Sequence, residues 1–536
     1  MNNNQYTYNQ PTYSPSMGQI PMGQMMPPQM GPARPRGWRE RWMRRFGMDV
    51  AVAPLTKGER TIPNWLTGKA IVFFFVAIFV CWSAFGFVPE FELWIVAAIS
   101  VVLFFYGGQA ISKSWDRKKE KVFVRNVFIA GLVVRLSWVL YCYFYFNINH
   151  YGYIYGDDAD TGWYMDFGKD IAQWIAGDSK YTLSQIIDLN HSAIDDVGYP
   201  FWLGIVYFIV GVDNDVIIPF VIKCILSAYC AVCIYHIAKR HFGEGVARMA
   251  AIFVCMNPNM IYWCGNMFKE SEMVFLCCLA IDNFDRVLTS GQRFTFKNLL
   301  PGMLAGIAVF FFRSPLAILI FLAVFAHIIM ASGKVMSLGK KILAGALVAV
   351  VLAVSMGDRI RTQSEYLLNT AQSDHQQKNM EWRSTRKDGG NTFAKYAGAA
   401  VFAPLIFTIP FPTFNQADSE QLLQMQLSGG SYIKNILSFF VIIVFLMMLI
   451  SGEWRRHVFI LAYTVGYHVV LVMSEFAQSG RFHMPVIPFL MLFAAYGIQV
   501  AKANRKVKGW FSIALVIEVA ACLAWNWFKL KGRGMI

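Results

Sequence analysis

The sequence predicts an all-α fold: a polytopic transmembrane helix bundle of about 13 spans, with amphipathic juxtamembrane helices in its extracytoplasmic loops. Three observations carry that expectation. Of the 536 residues, 56% are hydrophobic, 16% aromatic and only 15% charged, a balance that a soluble domain does not show. Apolar runs close to the ~20 residues needed to cross a bilayer recur along the chain. The Lys and Arg behind the net charge of +15 cluster in short runs between those segments rather than on one periodic face. That is the positive-inside pattern, with anionic lipid rather than nucleic acid as the counter-charge.

Residues 1–36, rich in Asn, Gln, Met, Pro, Gly and Tyr, bury too little to offset the entropy of ordering and read as a disordered cytoplasmic tail. They lack the basic start and apolar core of a signal peptide. A basic stretch from Arg34 to Arg45 (Arg36, Arg39, Arg41, Arg44 and Arg45 among Trp38, Trp42 and Phe46) leads into the segment 37–123, which adds an apolar hairpin at about 70–88 and 91–111. The first part suits a helix on an anionic inner leaflet or a plain cytoplasmic flank. The basic run Lys113 to Arg125 anchors the topology inside, so a helix at about 124–146 runs outward.

The loop 148–198 is therefore extracytoplasmic. It contains Tyr153-Ile-Tyr-Gly-Asp-Asp-Ala-Asp160, and then Trp163, Phe167, Ile171, Trp174 and Ile175 at the spacing of an amphipathic helix resting on the membrane surface. The run 199–212 is short for a span and reads as juxtamembrane or re-entrant. Spans follow at about 216–238, 246–263, 272–289, 298–312, 315–331 and 341–357. The unit 124–357 reads as the catalytic membrane module. The segment 358–432 is an extracytoplasmic loop with a re-entrant or juxtamembrane piece near 397–412, where Pro404, Pro410 and Pro412 argue against a span. The last part, 433–536, holds helices at about 433–450, 457–474, 485–501 and 510–528. Cys224, Cys230, Cys233, Cys255, Cys277 and Cys278 lie in apolar runs without metal-ligand spacing and read as small core residues. His327 and His468 read as core or interfacial in the same way.

With this topology, Asp157, Asp158, Asp160, Lys269, Glu270, Glu272, Arg313, Glu475, Arg481 and His483 fall at one outer level, although separate loops supply them. Ionisable groups at a bilayer boundary are costly, so a set at one depth marks a functional site. Both signs are present. A carboxylate can take a proton from an attacking hydroxyl, while Arg or Lys, with or without a divalent cation held by acidic oxygens, can neutralise a departing phosphate. The chain has no Gly-rich nucleotide loop, no Gly-x-Ser-x-Gly and no His-Glu-x-x-His, which leaves ATP-driven transport, serine hydrolysis and zinc proteolysis without support.

The order of motifs resembles a family. An acidic motif and loop helix are followed by Gly198-Tyr-Pro-Phe-Trp-Leu-Gly204 and Ala238-Lys-Arg-His-Phe-Gly-Glu-Gly-Val-Ala-Arg248. Asn257-Pro-Asn-Met-Ile-Tyr-Trp263 with Lys269-Glu270 comes next, and the run beginning Gly480-Arg-Phe-His-Met-Pro closes the series. Together these are similar to the GT-C superfamily of polytopic membrane glycosyltransferases. The specific likeness is to the bacterial branch resembling protein O-mannosyltransferases and enzymes that decorate lipid A or surface polysaccharide. The likeness covers about residues 124–500 and leaves the tail and first hairpin outside it.

The resemblance implies a transferase in the cell membrane, N-terminus inside, that uses a polyprenyl-phosphate sugar donor and an extracytoplasmic acceptor. It implies that Asp157 and Asp158 are the acidic pair, with Asp160 a rival four residues before Tyr164 and Asp158 the favoured base. Arg481, Arg313 and Lys269 match positions suited to the donor phosphate. Glu270, Tyr164 and His483 are candidates for contact with substrate or with a Mg or Mn ion. A lipid-linked glycan flippase, and a polymerase or ligase using a polyprenyl diphosphate donor, remain alternatives.

Overall fold

The computed structural model describes residues 61–85, 91–148, 158–190, 192, 196–211, 217–289, 295–330, 361, 365, 422–473 and 480–532. The expected tail, the 341–357 span, and almost all of the 358–395 loop and the 397–412 piece lie outside them. The protein is an all-α polytopic membrane protein, and among the described residues there is no strand. Five described helices are long and apolar enough to cross a membrane, and five shorter apolar helices accompany them.

Helices α1 (Asn64–Phe85) and α2 (Phe91–Val102) form the first hairpin, and α2 runs through one π turn into α3 (Gly108–Trp115). Then come α4 (Glu120–Ile148), α5 (Asp158–Ala176), α6 (Leu183–Leu189) and α7 (Gly198–Val210). The bundle centre is built by α8 (Ile217–Phe242), α9 (Glu244–Met256), the single turn α10 (Pro258–Tyr262) and α11 (Glu270–Thr289). Helices α12 (Phe296–Phe312), α13 (Ser314–Met330), α14 (Leu422–Ser451), α15 (Val458–Met473), α16 (Ile487–Ala503) and α17 (Arg505–Gly532) complete it.

The run 246–263, apolar enough to suggest one span, is interrupted. Pro258 cannot donate the N–H that a continuing helix needs, and the Asn257 side chain accepts from the N–H groups of Asn259 (3.1 Å) and Met260 (3.4 Å), so it ends α9 and starts α10. The carbonyls left at the end of α9 are met by Arg135 of α4, which is buried. Its guanidinium donates to Cys255 O (3.0 Å), Val254 O (3.3 Å) and Ser227 Oγ (2.9 Å). Broken helix backbone at membrane depth persists where protein groups satisfy it, as here.

Helix α5 also departs from expectation. Its apolar face, with Phe167 and Ile171 fully buried, packs on α7 instead of lying on lipid. Small residues allow the close approach: a Cβ at Gly204 would sit 2.5 Å from Ile171 Cγ2, and one at Gly168 would sit 2.9 Å from Leu203 Cβ. The short α7 is thereby fastened to the loop helix.

One end of the bundle is tied by a charged network that leaves no carboxylate alone. Arg240 of α8 pairs with Asp282 and Asp285 of α11, both at 2.6 Å, and His241 Nε2 lies 2.7 Å from Asp285 and its Nδ1 2.8 Å from His457. Arg248 of α9 pairs with Glu244 at 2.7 Å and donates to the carbonyls of Trp115, Asp116 and Lys118, which brings the basic connection between α3 and α4 to the same end. The first hairpin packs behind α14 and α17, with Phe74 edge-on to Tyr432 (4.7 Å between centroids) and Trp65 against both Phe440 (6.3 Å) and Phe511 (6.0 Å). It is part of the bundle, not an appendage. The nine cysteines whose side chains are described are all buried free thiols.

If the glycine crossing holds α5 on α7, Gly204→Val should destabilise the protein by about 1–3 kcal/mol through overpacking. Thermal unfolding in detergent measures this, and an unchanged midpoint would contradict the close packing.

Candidate active site

At the opposite end of the bundle from the Arg240 network, five elements converge: the start of α5, the approach to α7, the turn before α11, the break between α12 and α13, and the turn 480–486 before α16. Asp160 and Tyr164 lie one helical turn apart on α5 and so share a face. Asp160 Oδ2 accepts from Arg481 Nη1 at 2.5 Å, and the Nε of the same guanidinium donates to Glu270 Oε1 at 2.5 Å. The Arg481 plane lies over the Phe268 ring, 4.3 Å from its centroid. Burial works to lower its pKa, but Glu270 and Asp160 outweigh that and hold it above the usual value, so it stays a cation.

Glu270 is fully buried at the start of α11, and its Oε2 has no hydrogen-bond partner. The Asp160 side chain is 46% exposed, so the triad has a closed side and an open side. Next to it, Lys269 pairs with Asp196, which precedes α7, and lies 5.9 Å from the centre of the Tyr164 ring. Burial pulls the Lys269 ammonium below its usual range; Asp196 partly restores it while Arg313 opposes. Burial, with the Asp196 and Glu270 carboxylates nearby, raises the Tyr164 phenol well above its usual range, so it remains a donor.

The turn that carries Phe268 and leads into α11 is held from below by Lys223 of α8, a fully buried residue. It donates to Asn266 O (2.6 Å), Phe268 O (2.7 Å) and Tyr199 Oη (3.2 Å), with Glu272 3.8 Å away. Tyr199 stacks on Trp202 and meets Tyr164 edge-on at 5.0 Å, which links the Gly-Tyr-Pro segment to the loop helix. Arg313 stands in extended backbone at the α12–α13 break, and its guanidinium covers the Phe482 ring at 4.2 Å. The turn 480–486 is pinned by Tyr467 Oη to Phe482 O (2.8 Å) and Tyr463 Oη to Pro485 O (3.2 Å). His483 Nδ1 lies 3.3 Å from Lys434 Nζ of α14.

Of the residues expected from sequence, Asp160, Tyr164, Lys269, Glu270 and Arg481 are gathered at one place, and Arg313 and His483 flank them through Phe482. Asp158 is the first residue of α5, while Asp157 and Glu475 lie outside the described residues. Among the described residues no three His, Cys, Asp or Glu side chains are grouped to hold a metal ion. Sequence reasoning missed Lys223, Arg135 and Lys434. Each was flagged by one signal, a lone cation inside an apolar run. His468 Nδ1 lies 2.7 Å from Thr464 O, one turn back on its own helix, as a packing histidine would.

Residues 170–360 match the model of the Alg9-like mannosyltransferase family. That match supports a membrane glycosyltransferase of the GT-C superfamily. It spans less than half of the chain, includes Lys269, Glu270 and Arg313, and stops short of both the acidic motif and Arg481. No curated protein matches the chain.

Removing Arg481 would leave Glu270 as a buried charge without its partner. Arg481→Met should therefore cost about 3–5 kcal/mol of stability, and clearly less in a Glu270→Gln background. A double-mutant cycle of unfolding midpoints measures the coupling; additive effects would mean that the two side chains do not interact.

Proposed function

We propose that the protein is an inverting glycosyltransferase that moves a sugar from a polyprenyl-phosphate donor in the membrane to a hydroxyl of an extracytoplasmic acceptor. The contact of Asp160 with Arg481 and Glu270 supports this most directly. It sets carboxylates that can manage a proton and a guanidinium that can face a phosphate within one side-chain length, at the end away from the basic loops. The family match to mannosyltransferases makes a mannosyl donor the first sugar to test.

In this reading Asp158 takes the proton of the acceptor hydroxyl as its oxygen attacks the anomeric carbon. The new glycosidic C–O bond forms while the bond from the anomeric carbon to the phosphate oxygen breaks, and the electron pair leaves with the phosphate. A single displacement of this kind inverts the anomeric centre. Asp160, whose Oδ2 is already committed to Arg481, positions that guanidinium. The departing phosphate is met by cations drawn from Arg313 and the turn 480–486. Tyr164, protonated and close to Lys269, is placed to donate to a sugar or acceptor oxygen.

Asp158→Asn should lower transfer from a fluorescent polyprenyl-phosphate sugar by about 100-fold or more, the usual contribution of a general base. Asp160→Asn should chiefly raise the KM for the donor. Full activity in Asp157→Asn, Asp158→Asn and Asp160→Asn alike would refute the proposal, and movement of the labelled lipid between leaflets without bond cleavage would favour a flippase.

A further inference from the structure

Among the cations at the site end, Arg481 and Lys269 already face carboxylates: Asp160 and Glu270 for the first, Asp196 for the second. Lys434 differs. Its side chain is on α14, within an apolar stretch that is long enough to span, and the residue is only 6% exposed. Its described contact is with the His483 ring, and it forms no ion pair with a described carboxylate.

The direction in which Lys434 faces follows from its helix. Gly430 lies one turn earlier and therefore on the same face. A Cβ at Gly430 would fall 1.4 Å from Asn259 Oδ1, so this face of α14 is pressed against the α9–α10 break. Asn259 Oδ1 is itself buried with no hydrogen-bond partner. Lys434 thus stands between the broken helix and the turn that carries Arg481, Phe482 and His483, with Arg313 lying over Phe482. From behind, α14 is backed by the first hairpin through Phe74 and Tyr432.

A buried ammonium is costly, and Lys434, unlike Arg135 with its carbonyl partners, has among the described residues neither a carboxylate nor a carbonyl beside it, which leaves it open to an anion. We propose that Lys434, with His483 beside it, is a further seat of the phosphate group of a membrane-borne phosphate ester, next to the cations drawn from Arg313 and the turn 480–486. This rests on the reading of the protein as a lipid-phosphate-dependent transferase and names the group that holds the lipid's charged end. His483, in contact with the ammonium, turns it toward the phosphate as a positioning residue.

The test is binding of citronellyl phosphate, citronellol and inorganic phosphate to the purified full-length protein in nanodiscs, read from the ligand-induced rise in unfolding midpoint. Wild type should prefer citronellyl phosphate to citronellol, and Lys434→Met should lose that preference, with a Kd about 10- to 100-fold weaker for the phosphate and unchanged for the alcohol. Lys434→Arg should restore part of it. Inorganic phosphate distinguishes a lipid headgroup from a free anion: weak binding of it assigns the seat to the lipid. The unliganded midpoint of Lys434→Met should not fall, because removing an unpaired buried charge is neutral or stabilising, which separates a binding role from a scaffolding one. A wild-type preference for phosphate that Lys434→Met retains overturns this inference alone. A wild type that binds alcohol and phosphate equally overturns the donor class of the proposed function as well.

Discussion

One guanidinium joins parts of the chain that are far apart in sequence. Arg481 reaches back 321 residues to Asp160 and 211 residues to Glu270, and both contacts are made at 2.5 Å. A buried ion pair gains little over its desolvation cost unless geometry is good and the remaining groups are satisfied. Here the Phe268 ring covers one guanidinium face, and Tyr467 and Tyr463 hold the backbone from which Arg481 extends. The position of the loop helix α5, the start of α11 and the turn before α16 relative to one another depends on that contact.

The same economy of charge recurs in the scaffold. Arg135 satisfies the carbonyls freed where α9 stops, and Lys223 satisfies those of the turn that presents Phe268 and leads into Glu270. Both cations are fully buried and both serve backbone groups. They make an interrupted helix tolerable inside a bundle. At the other end, Arg240, Asp282, Asp285, His241 and His457 close the helices together. The bundle is therefore clamped at its basic end and carries its mixed-sign cluster at the opposite end.

The first hairpin gains a place in this arrangement. It lies outside the resemblance drawn from sequence motifs, yet Phe74 and Trp65 bear on the helix that carries Lys434. Apolar contacts of this kind are non-directional, so nothing in the hairpin's own sequence points to its partner.

Composition and periodicity by themselves determined the fold class, the approximate limits of most helices and the acidic loop helix, because hydrophobic runs and charge bias act locally and leave a local record. The rarity of charge in apolar sequence also singled out Asp157, Asp158, Asp160, Lys269, Glu270, Glu272, Arg313, Glu475, Arg481 and His483 as one outer set, with Asp158 favoured as the base. Tertiary structure alone decided which of these touch. That Arg481 meets two carboxylates while Lys434 meets the His483 ring, that α5 rests on α7 through a pair of glycines, and that Arg135 and Lys223 serve broken backbone are outcomes of pairings between distant segments. Such pairings are set by packing in three dimensions, where each charge takes the partner that the surrounding helices bring within reach, and a linear pattern does not encode that distance.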